Sequence, residues 1–140
     1  MGAASIRTSA GASEFVHALV VDDPEHFISE SQANGWKFYA AVPPTQSADP
    51  IMLADMLTSP LTKDPCVLIL GNEEKGLLPW LTRLADHTIA IQGYSPEAVD
   101  AGLDSLNVSA AATMLCERFL RRPTARDIEA NTEAEKEKIF

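Results

Sequence analysis

Two short stretches carry residue types that can do chemistry. Leu70-Gly71-Asn72-Glu73-Glu74-Lys75-Gly76-Leu77 sets a polar, turn-forming core directly behind an apolar run, and Asp104-Ser105-Leu106-Asn107-Val108-Ser109-Ala110-Ala111 sets another directly before one. Glycine at position 71 lets backbone approach a ligand closely. Ser105 or Asn107 can cap a following helix, whose first N–H groups favour an anion or a polar oxygen. This is the chemistry of a small ligand held by backbone loops, not of a metal. His17, His26 and His87 lie scattered, with no cysteine or carboxylate at ligand spacing, and Cys66 and Cys116 are far apart. Both cysteines sit in apolar surroundings and read as buried, reduced thiols.

These loops must be positioned by a scaffold, and the rest of the chain supplies one. His17–Asp22 and Trp36–Val42 read as strands, the first mostly apolar and therefore expected to be covered on both faces. Between them, Asp23-Pro24 reads as N-cap and first helical residue. That helix turns Phe27 and Ile28 inward and ends at Asn34-Gly35. Pro43-Pro44 ends the second strand, and residues 43–64 read as mostly loop around the short apolar patch Ile51-Met52-Leu53. Pro65–Leu70 is the clearest strand and runs straight into Gly71. A short helix over Leu77–Ala85, a strand at Thr88–Ile91 and a loop from Gln92 to Asp104 follow. The last helix spans about Val108 to Arg122, and Pro123 ends it. Alternating strands and helices predict an α/β fold, a parallel sheet with helices on both faces. Ligands of such sheets bind beyond the carboxyl ends of the strands. Three loops converge there: Gly71-Asn72-Glu73, Gln92-Gly93 and Ser105-Leu106-Asn107.

Composition narrows the function. The 140 residues carry a net charge of −9, and the polar segment 123–140 holds five acids against three bases, so most of the excess lies in the body. An acidic body argues against broad, sequence-independent nucleic-acid binding, leaving any RNA contact local. No apolar run is long enough to cross a membrane, and the N-terminus lacks the pattern of a secretory signal. Arg118, Arg121 and Arg122 fall near a helix C-terminus, where they favour the macrodipole and offer phosphate contacts. Lys75 offers another, and Trp36 and Trp80 read as core or interface residues.

L-I-L-G-N-E-E-K-G-L and D-S-L-N-V-S-A-A-A-T-M-L resemble, in order and in spacing, the second and third motifs of the SpoU family of RNA 2′-O-ribose methyltransferases. The resemblance covers nearly the whole chain to Arg122. It includes Ser9-Ala10-Gly11-Ala12-Ser13-Glu14, similar to the family's upstream S-A-G-A stretch. It implies a SPOUT-type fold with a C-terminal trefoil knot, a rare exception to ordinary chain topology. The methyltransferase domain then occupies residues 1–122 and a polar acidic tail 123–140. The resemblance further implies S-adenosyl-L-methionine as methyl donor, bound at Gly71, Asn72, Ile91, Gly93 and Leu106. Glu73, Ser105 and Asn107 match the family's polar residues that position the target ribose. The implied substrate is RNA, ribosomal RNA foremost, and the implied assembly a homodimer without metal or membrane. The pattern is similar to mitochondrial large-subunit rRNA members, which makes the mitochondrion one expected location and the cytoplasm the alternative.

Two departures stand out. The family's opening Asn-x-Gly-x-x-x-Arg-Thr motif has no clear match. Arg7-Thr8 is similar to its end, yet Ser9–Glu14 aligns with the later S-A-G-A stretch, which puts the true motif before Met1. On that alignment the first strand and helix of the pattern are missing here, and the alternative function is a non-catalytic cofactor- or RNA-binding module or an enzyme piece without its arginine. The second departure is the segment from Gln92 to Asp104, longer than the family's compact linker.

Overall fold

A computed structural model of the chain describes residues 7, 9–44, 52–54, 57, 59–72, 75–91, 106–122 and 124. Four parallel strands form one sheet. In chain order these are β1 (Lys37–Ala41), β2 (Met52–Leu53), β3 (Cys66–Ile69) and β4 (His87–Ala90), and across the sheet they run β2-β4-β1-β3. Three α-helices accompany them: α1 (Pro24–Ala33), α2 (Pro79–Leu84) and α3 (Val108–Leu120).

The central strand explains the layering. In β1, Phe38, Tyr39 and Ala40 are all buried, as expected of a parallel strand covered on both faces. Successive side chains point to opposite faces. Phe38 meets Phe27 of α1 edge-on, with ring centroids 6.2 Å apart. Tyr39 meets Phe119 of α3 edge-on at 4.9 Å. Hence α1 covers one face and α3 the other, and α2 packs beside α1. On the α3 face, Tyr39, Ala54, Leu57, Ile89, Leu115 and Phe119 form a continuous buried cluster, with Leu68, Leu70 and Ile91 packed against it.

Local sequence sets the ends of the elements. The Asp23 carboxylate accepts from the His26 N–H at 3.0 Å, and Pro24 opens the helix. Gly35, at φ 85°, turns the chain out of α1 in the left-handed region. Asp86, just before β4, ties several elements together. Its carboxylate accepts from the Phe38 N–H at 2.9 Å, from Gln32 Nε2 at 3.0 Å and from Lys37 Nζ at 3.4 Å. One side chain thus joins β1, the last turn of α1 and the start of β4.

Four expectations need correction. His17–Asp22 is not a covered strand. Leu19 and Val20 are 87% and 90% exposed, and no described strand pairs with the segment. An apolar run states a preference for burial, but a neighbouring backbone must supply the ladder. Residues 43–64 are not only loop, because Met52-Leu53 pairs in parallel with Ile89-Ala90. Two residues are too few to show a period. Cys116 is exposed rather than buried, because the helical step of about 100° from the buried Leu115 carries it off the core face. Phe27, expected inward with Ile28, remains 44% exposed while Ile28 is buried.

Candidate functional site

The carboxyl edge of the sheet gathers the residues singled out above. In register, Ala40 pairs with Ile69 of β3 and Thr88 of β4. Gly71 and Ile91 therefore leave the same edge, on the strands flanking β1, about 10 Å apart at the usual strand spacing. The Ser59 hydroxyl donates to the Arg121 carbonyl at 2.7 Å, holding the C-terminal end of α3 against the Pro60–Thr62 turn. That turn precedes β3, so it lies at the amino edge of the sheet. The other end of α3, with Leu106 and Asn107, accordingly points to the carboxyl edge.

The loop after β3 is closed on itself. The Asn72 N–H donates to the Gly76 carbonyl at 3.0 Å, and the Gly76 N–H donates back to the Asn72 carbonyl at 2.8 Å. The Asn72 side-chain oxygen also accepts from the Lys75 N–H at 3.3 Å. This closure leaves no space at Gly71. A Cβ there would collide with the Gly76 carbonyl carbon and the Leu77 nitrogen and come within 2.8 Å of the Gly76 oxygen. Gly76 itself sits at φ 65°, where a side chain is strained. Gly76, at the far end of the same polar stretch, closes the loop, and its spacing from Gly71 is the sequence signal for that closure. Leu78, just past this loop, is exposed.

The start of α3 resolves the capping choice. Asn107 is the N-cap: its side-chain oxygen accepts from the Ser109 N–H at 2.9 Å, and its carbonyl accepts from the Ala111 N–H at 3.0 Å. No acid occupies the first turn of this 13-residue helix, whose N-terminus carries the positive end of the helix dipole. Leu106, beside the cap, is exposed. Glu73, Gly93 and Ser105 lie outside the described residues. Of the expected site, Gly71, Asn72, Ile91, Leu106 and Asn107 are therefore placed, all on loops or element ends at one edge.

The titratable groups with displaced pKa values lie elsewhere. Burial, with the nearby charges of Cys66, Asp64 and Asp86, pushes the Tyr39 hydroxyl up to about 12. Burial likewise raises the Cys66 thiol, with Asp64 adding to the effect, which keeps it protonated and unreactive. Burial works to raise the Asp86 carboxyl, but hydrogen bonds from Gln32, Phe38 and Lys37 and the Lys37 charge outweigh it and hold it below the ordinary range. A depression of about 510 Å³, lined by Met52, Arg83, Asp86 and His87 among others, opens at the start of β4. It lies at the amino edge, away from the converging loops. Among the described residues, no helix is long and apolar enough to cross a membrane.

A family model described as "SpoU rRNA Methylase family" matches residues 1–117. A Schizosaccharomyces pombe protein named "rRNA methyltransferase 1, mitochondrial" is 34% identical over 110 residues, covering 78% of this chain and 35% of that protein. A Dictyostelium discoideum protein of the same name is 30% identical over 122 residues, covering 86% of this chain and 22% of that protein. The chain thus spans about a third or less of these relatives' length. The crystal structure of an rRNA methyltransferase from Sinorhizobium meliloti superposes with a TM-score of 0.62 at 24% identity, covering 84% of this chain and 39% of that one. At that identity the likeness speaks for the parallel-sheet α/β fold.

Proposed function

We propose, from the premise that this chain belongs to the SpoU rRNA methylase family, that it carries the cofactor half of an S-adenosyl-L-methionine-dependent RNA 2′-O-ribose methyltransferase acting on ribosomal RNA. The carrying observation is the pairing of a loop closed at Gly71–Gly76 with an Asn107-capped helix at one sheet edge. The donor set fits the methyl donor. Backbone groups and a helix N-terminus suit its carboxylate and polar oxygens, and the exposed Leu78 and Leu106 on the two loops suit its adenine. The same reading takes in a C-terminal trefoil knot, a methyltransferase domain over residues 1–122, a homodimer and a mitochondrial location, the last supported by the names of the relatives.

When bound, the sulfonium supplies an electrophilic methyl group. The chain supplies position. Backbone at Gly71, Ile91 and Leu106 would hold the donor, with Asn72 and Gly93 the further cofactor-binding positions that the resemblance implies. Glu73, Ser105 and Asn107 orient the ribose hydroxyl for in-line attack and take part in the hydrogen bonding through which its proton leaves. A rigid loop matters because small misplacements cost rate steeply in such a transfer.

Isothermal calorimetry with S-adenosyl-L-methionine, followed by methyl transfer to ribosomal RNA read as 2′-O-methylnucleosides by mass spectrometry, tests this. Absence of cofactor binding at millimolar ligand refutes it. Binding without transfer favours the second reading, a non-catalytic cofactor- or RNA-binding module.

A further inference from the structure

We infer that the corner where the C-terminal end of α3 meets the Pro60–Thr62 turn is an RNA phosphate contact, set apart from the reacting ribose. The inference rests on the RNA methyltransferase reading. Arg118, Arg121 and Arg122 fall within five residues of a chain whose net charge is −9. Lys63 leaves the adjoining turn, which packs against α3. Lys63, Arg121 and Arg122 are exposed, and Arg118 is partly so. Among the described residues, the carboxylates at this corner are Glu117, 3.8 Å from Arg118 Nε, and Asp64 beside Lys63. Among the described residues four cations face two acids, so their local charge is positive on an acidic protein. A polyanion repelled by the rest of the body is attracted here.

The macrodipole does not account for this charge. Its effect fades beyond the last helical turn, and Arg118 already lies in that turn. Arg121 has left the helix, with φ −60° and ψ 129°, and Arg122 follows it. Their placement is nonetheless fixed. The buried Ser59 donates its hydroxyl to the Arg121 carbonyl at 2.7 Å, while Ser59 itself holds the left-handed conformation at φ 49°. Such a conformation is costly for a non-glycine residue and persists only where surrounding contacts enforce it. Thirteen helical residues at 1.5 Å each put this corner about 20 Å from the Asn107 end of α3. A contact at that distance grips the RNA and leaves the donor loop untouched, so it governs affinity for RNA and not for the methyl donor.

The test titrates the full chain with a fluorescein-labelled ribosomal RNA hairpin, by anisotropy between 50 and 200 mM salt. The R121E/R122E variant is expected to bind at least about tenfold more weakly, and the slope of log K against log salt is expected to shrink by about 2. R121Q/R122Q should give a smaller loss in the same direction. S-adenosyl-L-methionine affinity by calorimetry and the melting temperature should stay at wild-type values in both. Arg83→Glu, on α2 beside α1 on the other face of the sheet, is set against the single reversal Arg121→Glu to control for net charge and should weaken binding far less. Unchanged affinity and slope in R121E/R122E overturn the inference, as does a loss in Arg83→Glu equal to that in Arg121→Glu. If the wild-type chain binds the methyl donor but not the hairpin, the inference falls while the cofactor site stands. If it binds neither, the function proposed above falls as well.

Discussion

Asp86 is the side chain on which the sheet's geometry most depends, and its removal has a calculable effect. Asp86→Ala deletes the acceptor for the Phe38 N–H, for Gln32 Nε2 and for Lys37 Nζ. Hydrogen bonds to a charged group contribute about 1.5–3 kcal/mol each, and a stranded buried donor costs about 1–3 kcal/mol. The exposed Lys37 pair adds at most about 1 kcal/mol. These terms overlap, and with the Asp86 side chain 20% exposed water replaces part of what is lost. The net expectation is a loss of about 2–3 kcal/mol at pH 7. The loss should depend on pH. The folded carboxyl titrates below the unfolded one, so its contribution is complete above the unfolded value of about 3.9 and is lost as pH falls through the folded value. Asp86→Asn keeps one acceptor oxygen without the charge and should cost about half as much, with little pH dependence. Urea denaturation followed by the fluorescence of Trp36 and Trp80, at pH 7 and at steps down to about pH 3, measures both. An Asp86→Ala loss below about 0.5 kcal/mol at pH 7, or a gap from wild type that persists undiminished at the acid end, refutes the reasoning.

Gly71→Ala places a Cβ against loop backbone that cannot yield locally. It should cost about 1–3 kcal/mol and weaken S-adenosyl-L-methionine binding by calorimetry, and unchanged affinity argues against the loop as a donor site. Asn107→Ala removes the cap on the Ser109 N–H and should cost about 1 kcal/mol in urea denaturation, whereas Asn107→Asp should keep most of that stability. If Asn107→Asp is stable yet loses methyl transfer, the side chain acts in the site beyond capping. Tyr39, pushed up to about 12, ionises later folded than unfolded, where the value is about 10. Its contribution is therefore present below about pH 10 and lost as pH rises toward 12. The urea midpoint should fall over that interval, and Tyr39→Phe should flatten the fall.

Much of the framework was legible because local chemistry dictated it. Asp23-Pro24 and Asn34-Gly35 bound α1 as read. The apolar runs at 36–42 and 65–70 contain β1 and β3. The helix from Val108 ends at Leu120, before Pro123. Gly71 reads as a place where backbone comes close to a ligand; what the structure shows against it is the loop's own Gly76 and Leu77. Asn107 was read as one of two possible caps and is the cap.

Other features depended on partners distant in sequence. His17–Asp22 and Cys66–Ile69 look alike as apolar runs, yet only the second finds a strand to pair with among the described residues. Met52-Leu53 becomes a strand solely because Ile89-Ala90 lies beside it. Asp86 appears in sequence as an ordinary acid before a strand, and only the arrival of Gln32, Lys37 and the Phe38 N–H makes it a junction. Residue type and spacing set turns, caps and apolar faces, because those interactions reach only a few residues along the chain. Strand pairing, the convergence of Gly71, Ile91 and Asn107 on one edge, and the basic corner at Arg121 were decided by tertiary structure. Each needs groups separated by tens of residues to meet in space, and no local preference encodes that meeting.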